Sequence, residues 1–265
     1  MEKNILLTIA YDGSVFFGWQ RQPDLPTVQG HLEKTLSSLF KKEIIINGCS
    51  RTDAGVHALG AKASFKADIA IPVEKISLVV NNALCGREKG SFAISPVRVI
   101  AAEEKPLDFH ARFDCKGKTY IYRIDNSADV DVFMRNYIYH VDKPLDLEEM
   151  RRGAQAFKGT HDFKSFESAG GNPRETTVRT IFDIEVRQIE PEKTGEDGMA
   201  GEIEIRVTGD GFLYNMVRII AGTLVDVGQG KIDSCKVREI IEAKDRMRAG
   251  HTAPPYGLYL AEVYY

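Results

Sequence analysis

The apolar positions in the first half of the chain switch between strand and helical spacing. A run rich in Ile and Leu from Asn4 to Tyr11, closed by Asp12-Gly13, predicts a strand that ends in a turn. After Pro26, apolar residues recur every three or four positions from Val28, with Thr27 placed as a cap, which predicts an amphipathic helix. The same reading predicts strands at Ile44–Ile46, Ala61–Lys66, Phe92–Ala102 and Gly117–Asp125, and a helix at Val73–Leu84.

The second half repeats a similar order of elements. Its expected helices contain Leu147–Phe157, Leu213–Val227 and Cys235–Lys244, and its expected strands are Val178–Ile189, Ile203–Val207 and Leu258–Tyr264. The segment Glu190–Gly201, with acids, Pro and Gly, is typical of a solvated hairpin excursion. Hairpins mixed with helices predict an α+β class built on antiparallel sheets, with an N-terminal subdomain at 1–125 and a C-terminal subdomain at 126–265.

Composition narrows the class of protein. With 265 residues and 43% hydrophobic content, the chain can bury a substantial core. The N-terminal apolar run is too short for a secretory or membrane segment, so we expect a cytoplasmic protein that does not contact a membrane. The four cysteines, at 49, 85, 115 and 235, form no Cys-x-x-Cys pair, which predicts neither a metal site nor a disulfide framework.

The charge distribution permits an anionic partner without requiring one. The formal net charge is −3, whereas nucleic-acid-binding domains usually carry a basic excess. Between Lys105 and Arg123, however, five basic residues face two acidic ones, while acids collect between Asp183 and Glu204. Clustering sets the local field, so a basic face is compatible with a negative net charge, as is ordinary solvated charge.

The strongest chemical signal lies in the expected loop Asn47–Leu59. Small residues there let the backbone turn sharply, while Arg51, Asp53 and His57 concentrate three ionisable groups. A neighbouring Arg favours the carboxylate form of Asp53, as a nucleophile or a general base requires. On local composition alone, a structural Arg–Asp pair and a hydrogen-bonded loop His explain the same residues.

The loop belongs to a set of five ordered motifs, which resemble those of the tRNA pseudouridine synthase A family and span nearly the whole chain. Their order makes a chance match improbable, whereas any single motif is weak. The motifs are Tyr11-Asp12-Gly13 with Phe17-Gly18-Trp19-Gln20; Arg51-Thr52-Asp53-Ala54-Gly55-Val56-His57-Ala58; Phe109-His110-Ala111-Arg112-Phe113 with Lys118-Thr119-Tyr120-Ile121-Tyr122-Arg123; Gly211-Phe212-Leu213-Tyr214-Asn215-Met216-Val217-Arg218; and Ala253-Pro254-Pro255-Tyr256-Gly257-Leu258.

The resemblance implies a role for each matching position. Asp53 takes the place of the catalytic aspartate and Arg51 that of its ion-pair partner. Tyr120 matches the active-site tyrosine that packs against the target uracil and is a candidate for removing the C5 proton. Arg218 and Leu258 would line the same site. Ser50 stands where many relatives have Gly, a small-for-small departure. The implied fold is the pseudouridine synthase fold, with two similar αβ halves joined through a central antiparallel sheet, flanking helices, and a catalytic cleft between the halves.

The strand pattern adds candidate substrate contacts. In a strand over Gly117–Asp125, the side chains of Lys118, Tyr120 and Tyr122 share one face, which would offer rings to a base and a cation to a phosphate. Arg112 and Arg218, with Lys244, Arg246 and Arg248, are further candidates for phosphate contacts. Of Phe16, Phe17 and Trp19, at least two are expected to pack in the core.

The resemblance further implies uridines 38 to 40 of the tRNA anticodon stem-loop as substrate, a homodimer, and a reaction that needs no cofactor or metal. Asp53 could add to C6 of uracil, attack C1′ or remove the C2′ proton; the sequence favours none of these routes. Two other functions stay open: a non-catalytic RNA-binding module, and a hydrolase that uses Asp53 with His57 as acid and base.

Overall fold

The computed structural model describes residues 2–85, 94–171, 175–189 and 200–265. It divides into two compact units, one formed by Met1–Lys116 with Leu260–Tyr265 and the other by Gly117–Tyr259. The start of the strand expected from Phe92 and most of the excursion expected at Glu190–Gly201 lie outside the described residues. Among the helices that are described, none is long and apolar enough to cross a membrane.

The first unit is a sheet with two helices. The strand β1 (Glu2–Tyr11) runs antiparallel to both β3 (His57–Asp68) and β4 (Val97–Lys105). The short β2 (Asn47–Gly48) and the last strand, β10 (Leu258–Tyr264), pair with β3. The helices are α1 (Val28–Phe40), where the Thr27 side chain accepts from the Gly30 amide as predicted, and α2 (Val73–Leu84), whose bounds match the prediction.

The prediction of a strand at Ile44–Ile46 is wrong. Ile44 and Ile46 are buried, which explains the apolar pattern, but their amides do not join a strand ladder. Helix α1 supplies the acceptors instead: Ser37 Oγ accepts from the Ile44 amide at 2.9 Å, and Glu33 Oε1 accepts from the Ile46 amide at 3.0 Å. Side chains therefore satisfy backbone donors that a partner strand would otherwise satisfy.

The described strands and α-helices of the second unit are β5 (Gly117–Asn126), β6 (Tyr139–His140), α3 (Leu147–Gln155), β7 (Gly159–Asp162), β8 (Val178–Ile189), β9 (Gly201–Gly209), α4 (Met216–Gly228) and α5 (Val237–Ala243). Four of these strands form an antiparallel sheet in the order β5–β9–β8–β7, and β6 runs parallel to β5. Helix α4 is buried along its whole length apart from Arg218, as its almost unbroken apolar sequence requires.

The α+β class is confirmed, with differences at element ends. The boundary expected after residue 125 falls inside the second unit, because β5 pairs with β9 from Lys118 to Asn126. Helix α4 begins at Met216 rather than at Leu213, because Asn215 has a left-handed backbone with φ of 60°. The short strands β6 and β7 carry too few residues for a periodic signal and were not predicted.

Candidate active site

In the first unit, the loop between β2 and β3 carries the candidate catalytic acid. Asp53 is partly buried, and its carbonyl accepts from the Val56 amide at 3.1 Å, which closes a turn directly after it. Arg51 is exposed, and within the described ranges no ion pair joins it to Asp53. The predicted pairing of Arg51 with Asp53 is therefore not seen among the described residues, and the turn fixes the backbone at Asp53.

The N-terminal motif wraps around the start of this loop. The Trp19 amide donates to the Thr52 carbonyl at 3.0 Å, and the hydroxyls of Tyr11 and Thr52 are hydrogen-bonded at 2.7 Å. Gly18 has φ of 87°, and a Cβ at this position would lie 2.7 Å from the Thr52 carbonyl oxygen. Burial raises the pKa of Tyr11 far above its usual range despite the Thr52 hydrogen bond, so Tyr11 acts here as a neutral hydrogen-bonding group.

The end of the loop is held by His57. Its side chain is 2% exposed, and its Nδ1 accepts from the Gly13 amide at 3.0 Å. Asp12 Oδ1 lies 3.3 Å from the same nitrogen and accepts from the Ser14 amide. The sequence left the role of His57 open, and the structure places it as a buried contact between the first and second motifs.

The three neighbouring aromatic residues divide as predicted. Phe16 and Trp19 are buried, and the Trp19 ring lies 6.0 Å from that of Tyr11. Phe17 is 51% exposed while its backbone is fixed on both sides, because its amide donates to the Pro26 carbonyl and its carbonyl accepts from Gln22 Nε2. Two of the three rings therefore form core under the loop.

In the second unit, β5 and the two C-terminal motifs come together. Tyr120 on β5 is 7% exposed, and its ring meets Phe212 edge to face at 5.2 Å. Tyr122, expected to offer a ring on the same face as Tyr120, is fully buried, and its hydroxyl donates to the Pro254 carbonyl at 2.8 Å. Burial raises the pKa of Tyr122 well above its usual range. Tyr122 is thus a structural tyrosine.

Arg218 joins the two C-terminal motifs. Its Nε donates to the Ala253 carbonyl at 2.7 Å, while its own carbonyl accepts from the Ala253 amide at 3.1 Å. A terminal nitrogen of the guanidinium donates to Asn215 Oδ1 at 2.8 Å, and Asn215 Nδ2 donates to Ser168 Oγ. Leu258, at the end of the last motif, is 6% exposed. The guanidinium is therefore fixed in direction at the first turn of α4.

The remaining basic candidates differ in how they are engaged. Arg112 is exposed and lies 5.8 Å from the Phe113 ring centre, and Lys118 is half-buried. Lys244 pairs with Asp162 at 2.9 Å. Arg246 donates to the Gly250 carbonyl and to Thr252 Oγ1, and Arg248 lies 4.0 Å from Glu239. The Arg246 side chain therefore stabilises its own loop, which argues against a contact with a phosphate.

One group of ionisable residues in the second unit was not predicted from the sequence. Asp226 Oδ2 lies 3.0 Å from His251 Nδ1, and the Tyr139 hydroxyl is 3.3 Å from His251 Nε2. Burial pushes the pKa of Asp226 upward, but hydrogen bonds from His251 and Lys231 outweigh it and leave that pKa lowered. In the sequence, Asp226 gives no signal of such a group, because it lies in a mostly apolar helix. His251 gives a weak one, because it stands two residues before Ala253 of the last motif.

The comparisons with known proteins agree with the motifs. A family model described as tRNA pseudouridine synthase matches residues 7–114 and 154–265. A tRNA pseudouridine synthase A of Ruminiclostridium cellulolyticum is 45% identical, and one of Caldicellulosiruptor bescii is 43% identical. A tRNA pseudouridine synthase A 2 of Clostridium tetani is 42% identical. Each alignment covers at least 99% of this chain and 100% of the relative. The chain therefore belongs to the tRNA pseudouridine synthase family.

Proposed function

We propose that this protein isomerises uridine to pseudouridine at positions 38, 39 and 40 of the tRNA anticodon stem-loop, with Asp53 as the nucleophile. The observation that carries the proposal is the backbone-fixed turn at Asp53, set in a motif of a family whose named relatives are tRNA pseudouridine synthases. The enzyme would act in the cytoplasm.

The chemistry conserves atoms and electrons. The bond from uracil N1 to ribose C1′ breaks, a bond from C5 to C1′ forms, the C5 proton leaves, and N1 gains a proton. A carboxylate at Asp53 serves each route by which the uracil is detached, whether it adds to C6, attacks C1′ or removes the C2′ proton. Because C5 and C6 are shielded inside a stacked helix, the nucleotide must leave its stack before reaction.

Supporting roles follow from the geometry within each unit. Tyr120, held edge-on by Phe212, would pack against the uracil and remove the C5 proton, and Leu258 would line the same site. Arg218 would present its fixed guanidinium to the nucleotide. Arg51, Arg112 and Lys118 would contact RNA phosphates, since the first two are exposed and the third is half-buried. We further propose that the enzyme works as a homodimer, in which the clustered basic residues of each subunit would attract RNA despite a net charge of −3 per chain.

The test is a product analysis with three tRNA transcripts that each keep a single uridine among positions 38, 39 and 40. The proposal expects pseudouridine in nucleoside digests of all three. A transcript with cytidine at all three positions serves as the control and should yield none. Binding without product from any transcript would favour the non-catalytic module, and release of free uracil would favour a hydrolase; either result overturns the proposal.

A further inference from the structure

We infer that His57 is a positioning residue for Asp53. His57 acts by accepting a hydrogen bond from the Gly13 amide and not by exchanging protons with substrate. The inference rests on the proposed role of Asp53. It assigns a function to the one ionisable residue of the second motif that the mechanism above does not use.

The contact with the Gly13 amide defines which ring nitrogen of His57 accepts a hydrogen bond. The direction of a backbone N–H is set by the peptide plane, so His57 Nδ1 must present a lone pair to the Gly13 amide 3.0 Å away. A neutral ring that makes this contact carries its proton on Nε2. With 2% of its side chain exposed, His57 is sealed from solvent.

Close packing explains why this contact transmits position. A Cβ on Gly13 would lie 2.0 Å from the carbonyl oxygen of Val56, the residue that ends the Asp53 turn. The backbone at Gly13 therefore touches the turn directly while its amide holds His57. Moving the imidazole or the glycine shifts Val56, whose amide donates to the Asp53 carbonyl at 3.1 Å.

The loop is fixed at both ends by the same N-terminal segment. Before Asp53, Thr52 is held by the Trp19 amide and the Tyr11 hydroxyl. After Asp53, His57 is held by the Gly13 amide. A carboxylate anchored on both sides approaches a reacting atom in a defined geometry, and a displacement of about 1 Å costs roughly 100-fold in rate. His57 supplies the second of these anchors.

The test compares three substitutions at position 57 by single-turnover release of the C5 hydrogen from labelled tRNA. In His57→Asn, the amide oxygen occupies the place of Nδ1 and still accepts from Gly13. In His57→Gln, the amide extends to the place of Nε2, and in His57→Leu, no acceptor remains. We expect His57→Asn to stay within about threefold of the parent rate, and the other two to lose about 10- to 100-fold, with the tRNA Kd unchanged.

Two controls separate positioning from folding and from failure of the proposed function. His31→Leu removes another imidazole of the first unit, whose Nε2 is buried without a hydrogen-bond partner within the described ranges, and should leave the rate unchanged. Thermal unfolding reports whether each variant is folded. If the parent protein releases no label, the proposed function fails, whatever the variants do.

The series has outcomes that overturn the inference. If His57→Asn is as inactive as His57→Leu while both variants are folded, the imidazole itself takes part in the chemistry. A parental rate in His57→Leu would show that the anchor has no effect. If Leu does not fold, the comparison of Asn with Gln decides: Asn faster supports the inference, and Gln equal or faster overturns it.

Discussion

The ring of Tyr120 meets the ring of Phe212 edge to face, with centroids 5.2 Å apart and planes at 89°. This contact fixes the ring of Tyr120. Removing the Tyr120 hydroxyl therefore tests whether that group takes the C5 proton. Tyr120→Phe should reduce C5 hydrogen release by about 10²- to 10⁴-fold, the usual worth of a general base. The tRNA Kd should stay unchanged. Tyr264→Phe, at an exposed tyrosine, is the matched control. A Tyr120→Phe enzyme of parental rate would remove Tyr120 from the role of base.

The Arg218 side chain donates through different nitrogens to the Ala253 carbonyl and to Asn215 Oδ1. A lysine ammonium carries its three donors on one nitrogen and cannot reproduce this planar fork. Arg218→Lys should therefore lower the single-turnover rate by about 10-fold or more, as loss of a charged hydrogen bond of about 1.5–3 kcal/mol predicts. Arg187→Lys, at an exposed ion pair with Glu185, is the control. Equal rates for both variants would show that the direction of the Arg218 guanidinium is irrelevant.

Two helical glycines give a matched pair for stability. A Cβ on Gly222 in α4 would lie 2.0 Å from the His251 carbonyl oxygen, whereas a Cβ on Gly153 in α3 would make ordinary contacts from 3.4 Å outward. Alanine improves helix propensity by up to about 1 kcal/mol at either position. Gly153→Ala should thus keep or raise the Tm, while Gly222→Ala should lower the free energy of unfolding by more than about 1 kcal/mol through overpacking. The reverse order in thermal unfolding would contradict this packing.

The lowered pKa of Asp226 predicts a pH-dependent stability. A carboxyl with a folded-state pKa below its ordinary 3.8 contributes stability above that value and loses it as the pH falls through the folded-state pKa. Asp226→Asn should therefore cost about 1–3 kcal/mol near neutral pH, because His251 and Lys231 lose a charged acceptor. Urea unfolding should show that the difference from the parent protein shrinks below pH 3.8. Asp183→Asn, in an exposed ion pair, should show a small effect throughout. A difference for Asp226→Asn that does not depend on pH would refute this assignment.

Most of the secondary structure follows from local signals. The helix at Val73–Leu84 and the strand at Val178–Ile189 match their predicted bounds, since both combine clear periodicity with marked ends. The prediction of a strand at Ile44–Ile46 was wrong for a physical reason. The apolar pattern shows that the segment is buried, but the side chains that accept from its amides, Ser37 and Glu33, lie on a helix. Burial pattern alone does not reveal which group satisfies a backbone amide.

The sequence indicated candidate residues but not their contacts. The ordered motifs indicated family membership and proposed Asp53, Tyr120 and Arg218 as site residues, and that assignment stays a prediction. The structural role of His57 and the burial of Tyr122 depend on tertiary neighbours, Gly13 and Pro254, that lie 44 and 132 residues away in the chain. No local pattern encodes contacts of that range.

The most direct test of the role of Asp53 is C5 hydrogen release from uridine-labelled tRNA by the parent protein and by Asp53→Asn, with enzyme in excess. Asparagine keeps the size of the side chain and removes the carboxylate. We expect release by the parent protein and no release by Asp53→Asn, with equal tRNA Kd and equal Tm. Release by Asp53→Asn within about 10-fold of the parent rate, a gap of only about 1.4 kcal/mol in activation free energy, would contradict the central role of Asp53.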